Sequence, residues 1–184
     1  MQAPVQLREL NISIGLFELP KSIGQLKYLQ KIELRDFRGT LPEEFFHLCS
    51  LKHLKLRATL MESLSDSLGN FTSLQHIDFS GCKNLKTLPP TFGNLTSLRQ
   101  VKLKECVKLK MLPDSFMNLI RLKHLDLSGC RNLRLSPKTL GNISTHETFN
   151  FFRVSQNWSI ASPSHTLDVT GRTNFGRYRV KQIA

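Results

Sequence analysis

Two short phrases set a histidine two residues ahead of an aspartate, His76-Ile77-Asp78 and His124-Leu125-Asp126. An imidazole oriented by a carboxylate is the general base of a nucleophilic triad. Neither phrase is accompanied by a partnered Ser or Cys, so no catalytic residue is expected. Four cysteines, Cys49, Cys82, Cys106 and Cys130, offer a second kind of chemistry. A zinc site needs four convergent ligands at local spacings such as C-x-x-C. No such cluster occurs, and there is no G-x-x-x-x-G-K-[ST] phosphate loop, so neither a metal nor a cofactor is expected. Cys82, Cys106 and Cys130 instead stand 24 residues apart, an interval that points to repetition rather than to a site.

Alignment on the pair Leu-Pro exposes the repeat. The pair occurs as Leu19-Pro20, Leu41-Pro42, Leu88-Pro89 and Leu112-Pro113, with Leu64-Ser65 and Ser136-Pro137 in the same slot. Successive spacings are 22, 23, 24, 24 and 24. Within a unit the apolar residues keep register, as in Leu88, Phe92, Leu95, Leu98, Val101, Leu103, Cys106 and Leu109. This is L-x-x-L-x-L-x-x-C/N-x-L, the leucine-rich repeat. The L-x-L pairs have the two-residue period of a strand with one buried face. Returns open on proline, as in PEEFFHL and PDSFMNL, which suits the first turn of a short helix, and their apolar residues recur three apart, as at Phe116, Leu119 and Leu122. The expected fold is therefore α/β. It is a leucine-rich repeat solenoid with a curved parallel sheet, short helical or extended returns, and about five full repeats plus degenerate ends. Leu7, Leu10 and Ile12 match the strand of a leading unit; Leu140, Ile143, Phe149 and Phe151 continue the register beyond the fifth, with His146 where leucine is expected.

Residues 1–151 are read as the repeat domain and 152–184 as a basic, non-repeat tail acting as a cap or disordered, since 30 of the 31 leucines lie at or before Leu140. Formal net charge is +12, which permits acidic partners but says nothing of fold. In the tail, Arg172, Arg177, Arg179 and Lys181 interleave with Phe175 and Tyr178, a combination that loosely suits single-stranded nucleic acid. It is short and unspecific, so nucleic acid is not an expected partner. Cys82, Cys106 and Cys130, with Phe37 and Thr59 in the same register, should form a buried ladder after the strands, and Cys49 should pack in the second return. Unpaired thiols favour a reducing compartment. Five N-x-S/T sequons occur, at Asn11, Asn70, Asn94, Asn142 and Asn157. Three share one inherited G-N-x-[ST] phrase, and no secretory signal opens the chain, so a cytoplasmic or nuclear location is expected without a membrane span.

The phrases FTSLQHIDFSGCKNLKTLPPTFGNLTSL and LKHLDLSGCRNLRL resemble the leucine-rich repeats of plant nucleotide-binding immune receptors, the disease-resistance proteins. S-G-C-x-N-L, at Ser80–Leu85 and Ser128–Leu133, is the most specific element, and the resemblance runs over residues 7–150. Extracellular plant receptors usually carry L-x-G-x-I-P, whereas the corresponding stretch here is NLKTLPP. The resemblance implies a non-enzymatic recognition module in defence signalling, acting as a monomer on a protein: a pathogen effector, a guarded host protein or a neighbouring receptor domain. Receptors of this kind carry a nucleotide-binding domain ahead of the repeats, so the chain reads as a fragment, a truncated paralogue or a repeat-only product. The Leu-Pro opening is shared with Ras-suppressor-type intracellular repeat proteins. The alternative is therefore a generic scaffold that regulates a signalling protein.

Side chains between and beside the strand leucines should face the concave side. The expected partner-binding residues are Lys31, Arg35, His53, Lys55, Arg57, His76, Asp78, Lys102, Lys104, His124 and Asp126. They form a mixed face with a basic excess that would steer an acidic protein. His53, His76 and His124 share a register position that Gln100 interrupts, and they are expected to be solvated.

Overall fold

The computed structural model describes residues 6–13, 18–135 and 148–150. Seven strands form one parallel sheet in chain order: β1 Glu9–Ile12, β2 Lys31–Arg35, β3 His53–Arg57, β4 His76–Asp78, β5 Gln100–Lys102, β6 His124–Asp126 and β7 Thr148–Asn150. Adjacent strands pair without offset, so Leu10, Ile32, Leu54, Ile77, Val101, Leu125 and Phe149 lie in one row across the sheet. A slip of one residue would turn every leucine to the opposite face, which is why the L-x-L period holds the register. Ile77, Val101 and Leu125 are 1%, 0% and 2% exposed, within one continuous core. Full burial of such a side chain contributes about 1.5–3 kcal/mol, and a lone repeat has nothing to bury it against.

The returns are short 3₁₀ turns: η1 Lys21–Gln25, η2 Glu43–His47, η3 Asp66–Asn70, η4 Pro90–Asn94 and η5 Asp114–Asn118. Proline does not open these turns from within, as its spacing had suggested. Pro20, Pro42, Pro89 and Pro113 are the extended capping residues one position earlier, and Pro90 is the one proline inside a described turn. Each cap carbonyl accepts from the N–H three residues on, at 2.9–3.0 Å. Ser65 takes the same place in η3 and adds a side-chain bond from the Ser67 N–H. Proline's fixed φ suits a chain that must arrive extended and turn at once.

Glycine occupies the fourth position of η1, η3 and η4, as Gly24, Gly69 and Gly93. A Cβ there would strike the next turn: at Gly69 it would stand 2.7 Å from Thr91 Cβ and 2.9 Å from the Thr91 carbonyl oxygen. In η2 the position is held by Phe46, whose ring packs against Phe45 and Phe71 at 5.5 and 5.8 Å. Beside it opens a crevice of about 430 Å³ between the second and third units, lined in part by Leu41, Phe46, Leu60 and Met61.

A left-handed residue follows every strand from β2 to β6: Asp36, Ala58, Gly81, Glu105 and Gly129, with φ between 53° and 78°. The first four donate their N–H to a carbonyl of the next unit, those of Arg57, Ser80, Lys104 and Ser128. The next residue turns inward. Cys82, Cys106 and Cys130 are buried and donate their thiols back to the carbonyls of Leu56, Phe79 and Leu103 at 2.9, 3.2 and 2.9 Å. The phrase S-G-C is thus a turn, a left-handed step and a buried donor. Phe37 and Thr59 are likewise buried at this position, as expected. Cys49 does not pack inside; it is exposed, with its sulfur 3.3 Å from the His47 carbonyl oxygen. Leu140, Ile143, His146, Phe151, Asn142, Asn157 and the tail 152–184 lie outside the described residues.

Candidate protein-binding surface

Sheet pairing brings the expected concave residues into three parallel files. The first runs Lys31, His53, His76, Gln100, His124, and the second Glu33, Lys55, Asp78, Lys102, Asp126. The third begins with Arg35 beside Arg57; Lys104 lies past β5, in the turn.

Much of the basic charge on this face is already answered. Lys31 meets Glu9 at 2.9 Å, Arg35 meets Glu33 at 2.6 Å, Lys55 meets Glu33 at 3.5 Å, and Arg57 meets Asp78 at 3.5 Å. Glu33 is largely buried, which pushes its carboxyl up, but Arg35 and Lys55 outweigh that and hold it below the usual glutamate range. Lys102 and Lys104 have no such partner among the described residues. Asp78 and Asp126 serve the backbone: each accepts from the N–H two residues on, Ser80 or Ser128, at 2.9 Å. Asp78 is accordingly 9% exposed rather than open to solvent, and with Arg57 on its other oxygen it is committed to the turn.

His53 and His76 are not freely solvated. Their rings stack 4.5 Å apart with 4° between planes, and both are half-buried. Burial pushes both imidazoles below the usual histidine range; Lys31 and Lys55 add to this at His53, and His53 and Arg99 at His76. His124, two strands further on, is exposed and does not join the stack. Parallel rings do not converge on an ion, and no group of three or more His, Cys, Asp or Glu that could hold a metal occurs among the described residues.

One further set of residues emerges from the stacking alone. The chain leaving the core after each cysteine hydrogen-bonds to its counterpart in the preceding unit: Lys86 N–H to Glu62 O, Lys110 N–H to Lys86 O and Arg134 N–H to Lys110 O, at 2.8–3.1 Å. Glu62, Lys86, Lys110 and Arg134 therefore form one column along this edge, about 4.8 Å per step. Lys83, Lys108 and Arg131 stand beside it, all exposed. The phrases KNLK, VKLK and RNLR carry this signal in the sequence, 24 residues apart, yet spacing does not say that they share an edge.

A family profile for a leucine-rich repeat region matches residues 2–104, and a second, for a single leucine-rich repeat, matches residues 121–143. The chain belongs to the leucine-rich repeat family. It is a repeat module of the protein-binding kind. Over 76 residues it is 36% identical to TMV resistance protein N of Nicotiana glutinosa, a stretch that is 40% of this chain and 7% of that protein. Among solved structures, a leucine-rich repeat protein of Leptospira interrogans is 28% identical with a TM-score of 0.67, over 80% of this chain and 38% of that one. A TDR receptor is also 28% identical, with a TM-score of 0.62, over 80% of this chain and 26% of the receptor. This leucine-rich repeat chain thus spans well under half the length of each of these three relatives. No helix among its described residues is long and apolar enough to cross a membrane.

Proposed function

We propose that this chain is the non-enzymatic recognition region of a plant disease-resistance-like receptor, acting in defence signalling in the cytoplasm or nucleus. The observation that carries the reading is the S-G-C-x-N-L phrase, whose serine, glycine, cysteine and leucine each do a structural job here, taken with the 36% identity to resistance protein N. Its partner is a protein: an effector, a guarded host protein or an adjoining receptor domain. The contact surface is the concave face, where Lys102, Lys104 and the stacked His53–His76 pair enter no ion pair among the described residues. His76/Asp78 and His124/Asp126 serve recognition and folding, not catalysis, since the first pair is engaged by His53, Ser80 and Arg57.

A scaffold of the Ras-suppressor type is the competing reading, favoured by the recurring Leu-Pro opening of the returns. Sequencing the full transcript separates the two. A nucleotide-binding domain encoded upstream in frame supports the receptor, and a complete repeat-only gene overturns it. The concave face is tested by affinity capture with the chain as bait, wild type against Lys55, Arg57, Lys102 and Lys104 neutralised together. Loss of the captured protein is expected, and unchanged capture would refute the assignment of this face.

A further inference from the structure

Charge is unevenly shared along the solenoid. Described residues up to Phe79 carry nine Lys or Arg and nine Asp or Glu, whereas residues 80–135 carry eleven and three. The basic excess of the described array therefore lies wholly in its later units. Much of it falls on the edge that follows the strands, away from the concave files.

Along that edge the column begins with an answered cation and continues with unanswered ones. Lys86 Nζ sits 2.6 Å from Glu62 Oε2, a carboxylate one unit earlier in the same column. Lys110 and Arg134 have no carboxylate within reach among the described residues, and Lys108 donates only to the Asn84 amide oxygen at 2.9 Å. Like charges held one step apart repel unless a counter-ion lies over them. Glu62 shows which counter-ion fits: a carboxylate presented from the neighbouring step.

We propose that the edge formed by Lys86, Lys110 and Arg134, flanked by Lys108 and Arg131, docks an acidic, extended protein segment laid along the solenoid axis. The proposal rests on reading the chain as a protein-recognition array and adds to it a second surface and the chemistry of what binds there. Charge complementarity chooses the occupant. An extended segment presents alternate side chains on one face, and flexible lysine stems absorb the difference between its spacing and that of the column. Single-stranded nucleic acid would need exposed rings for base stacking. The exposed large apolar residue on this edge is Met111, and no exposed Phe, Tyr or Trp lies there among the described residues.

The test uses the full chain and a fluorescently labelled oligoglutamate peptide, followed by anisotropy at low and physiological salt. Two double variants lose the same charge: Lys110→Gln/Arg134→Gln on the edge, and Lys27→Gln/Arg121→Gln in the turns between a return and the next strand, outside both proposed surfaces. All four side chains are exposed or half-exposed, and thermal unfolding confirms that each variant remains folded. Edge neutralisation should weaken oligoglutamate binding about tenfold, as loss of two ion pairs implies, while the Lys27/Arg121 pair should change it less than about twofold. Equal losses in both variants would show mere net-charge attraction and overturn the proposal. Tighter binding of oligothymidylate or of phosphatidylserine vesicles than of oligoglutamate, lost in the edge variant, would overturn the choice of occupant. Unchanged protein capture after concave neutralisation, with oligoglutamate binding still lost in the edge variant, would refute only the concave assignment.

Discussion

Replacing Gly93 by alanine tests the stacking of the returns most directly. In a helical turn with ordinary φ, glycine to alanine normally stabilises by about 0.4–1 kcal/mol, because the unfolded chain loses freedom. Here the added Cβ would lie 2.5 Å from Ser115 Cβ and 2.8 Å from the Ser115 carbonyl carbon, in the neighbouring turn. The carbonyl carbon, and the Ser115 carbonyl oxygen that the Cβ would also meet, belong to backbone held in place by its own 3₁₀ bonds, so η4 and η5 must separate. Overpacking of this sort costs about 1–3 kcal/mol, which outweighs the gain and leaves a net loss of about 0.5–2 kcal/mol. For a chain of this size that is a fall in Tm of a few degrees. Urea unfolding should show a lower midpoint at unchanged m-value. Gly81→Ala supplies the contrast: its Cβ would find nothing nearer than 3.5 Å, but its φ of +78° alone should cost about 1–2 kcal/mol. If Gly93→Ala proved as stable as the parent, the turns would not be packed backbone to side chain, and the argument for the recurring glycine would fail.

Other expectations follow from burial. Under native conditions one thiol in four, Cys49, should react rapidly with a disulfide reagent, because burial pushes the Cys82 thiol up and the neighbouring Cys130, then burial, pushes Cys106 up; rapid labelling of two or more in the folded protein would refute the ladder. Stability should fall as pH drops from about 7.5 to 5.5. His53 and His76 are depressed in the folded chain, so the unfolded chain binds more protons once pH passes below the usual histidine range. His53→Gln/His76→Gln should flatten that dependence of Tm on pH, and a curve unchanged by the double variant would disprove the link. Salt-bridged Glu9, Glu33 and Glu62 contribute at lower pH, since their carboxyls are held below the usual glutamate range and their stabilisation is lost as they protonate. Phe46→Ala should cost towards the lower end of about 3–5 kcal/mol in chemical denaturation, because the adjoining crevice lets the site relax; a cost below that of an exposed substitution would show that Phe46 does not wedge the turns.

Strand positions and the core row were legible because they depend on period alone. A two-residue alternation inside a repeat of 22 to 24 residues leaves one way to bury Leu54, Ile77, Val101 and Leu125 together. The cysteine ladder was legible for the same reason. Cap geometry was less so: Leu-Pro marked where each return begins, but whether proline lies in the turn or before it depends on ψ, which the residue type leaves open. Cys49 shows the same limit, since a position outside the repeat register carries no periodic sign of which way it faces.

Side-chain partnership was the part that residue order could not supply. The files Lys31–His53–His76 and Glu33–Lys55–Asp78 follow from the register, yet which cations are neutralised, and that two imidazoles lie face to face, depends on distances across units 22 or more residues apart. The edge column of Lys86, Lys110 and Arg134 is clearer still. Spacing lists them as equivalent, but only the N–H to carbonyl bonds between successive units place them a few ångströms apart with a single glutamate at one end. Periodic burial is a property of each unit and can be read along the chain, whereas charge pairing is a property of neighbours that meet only after the solenoid has closed its core.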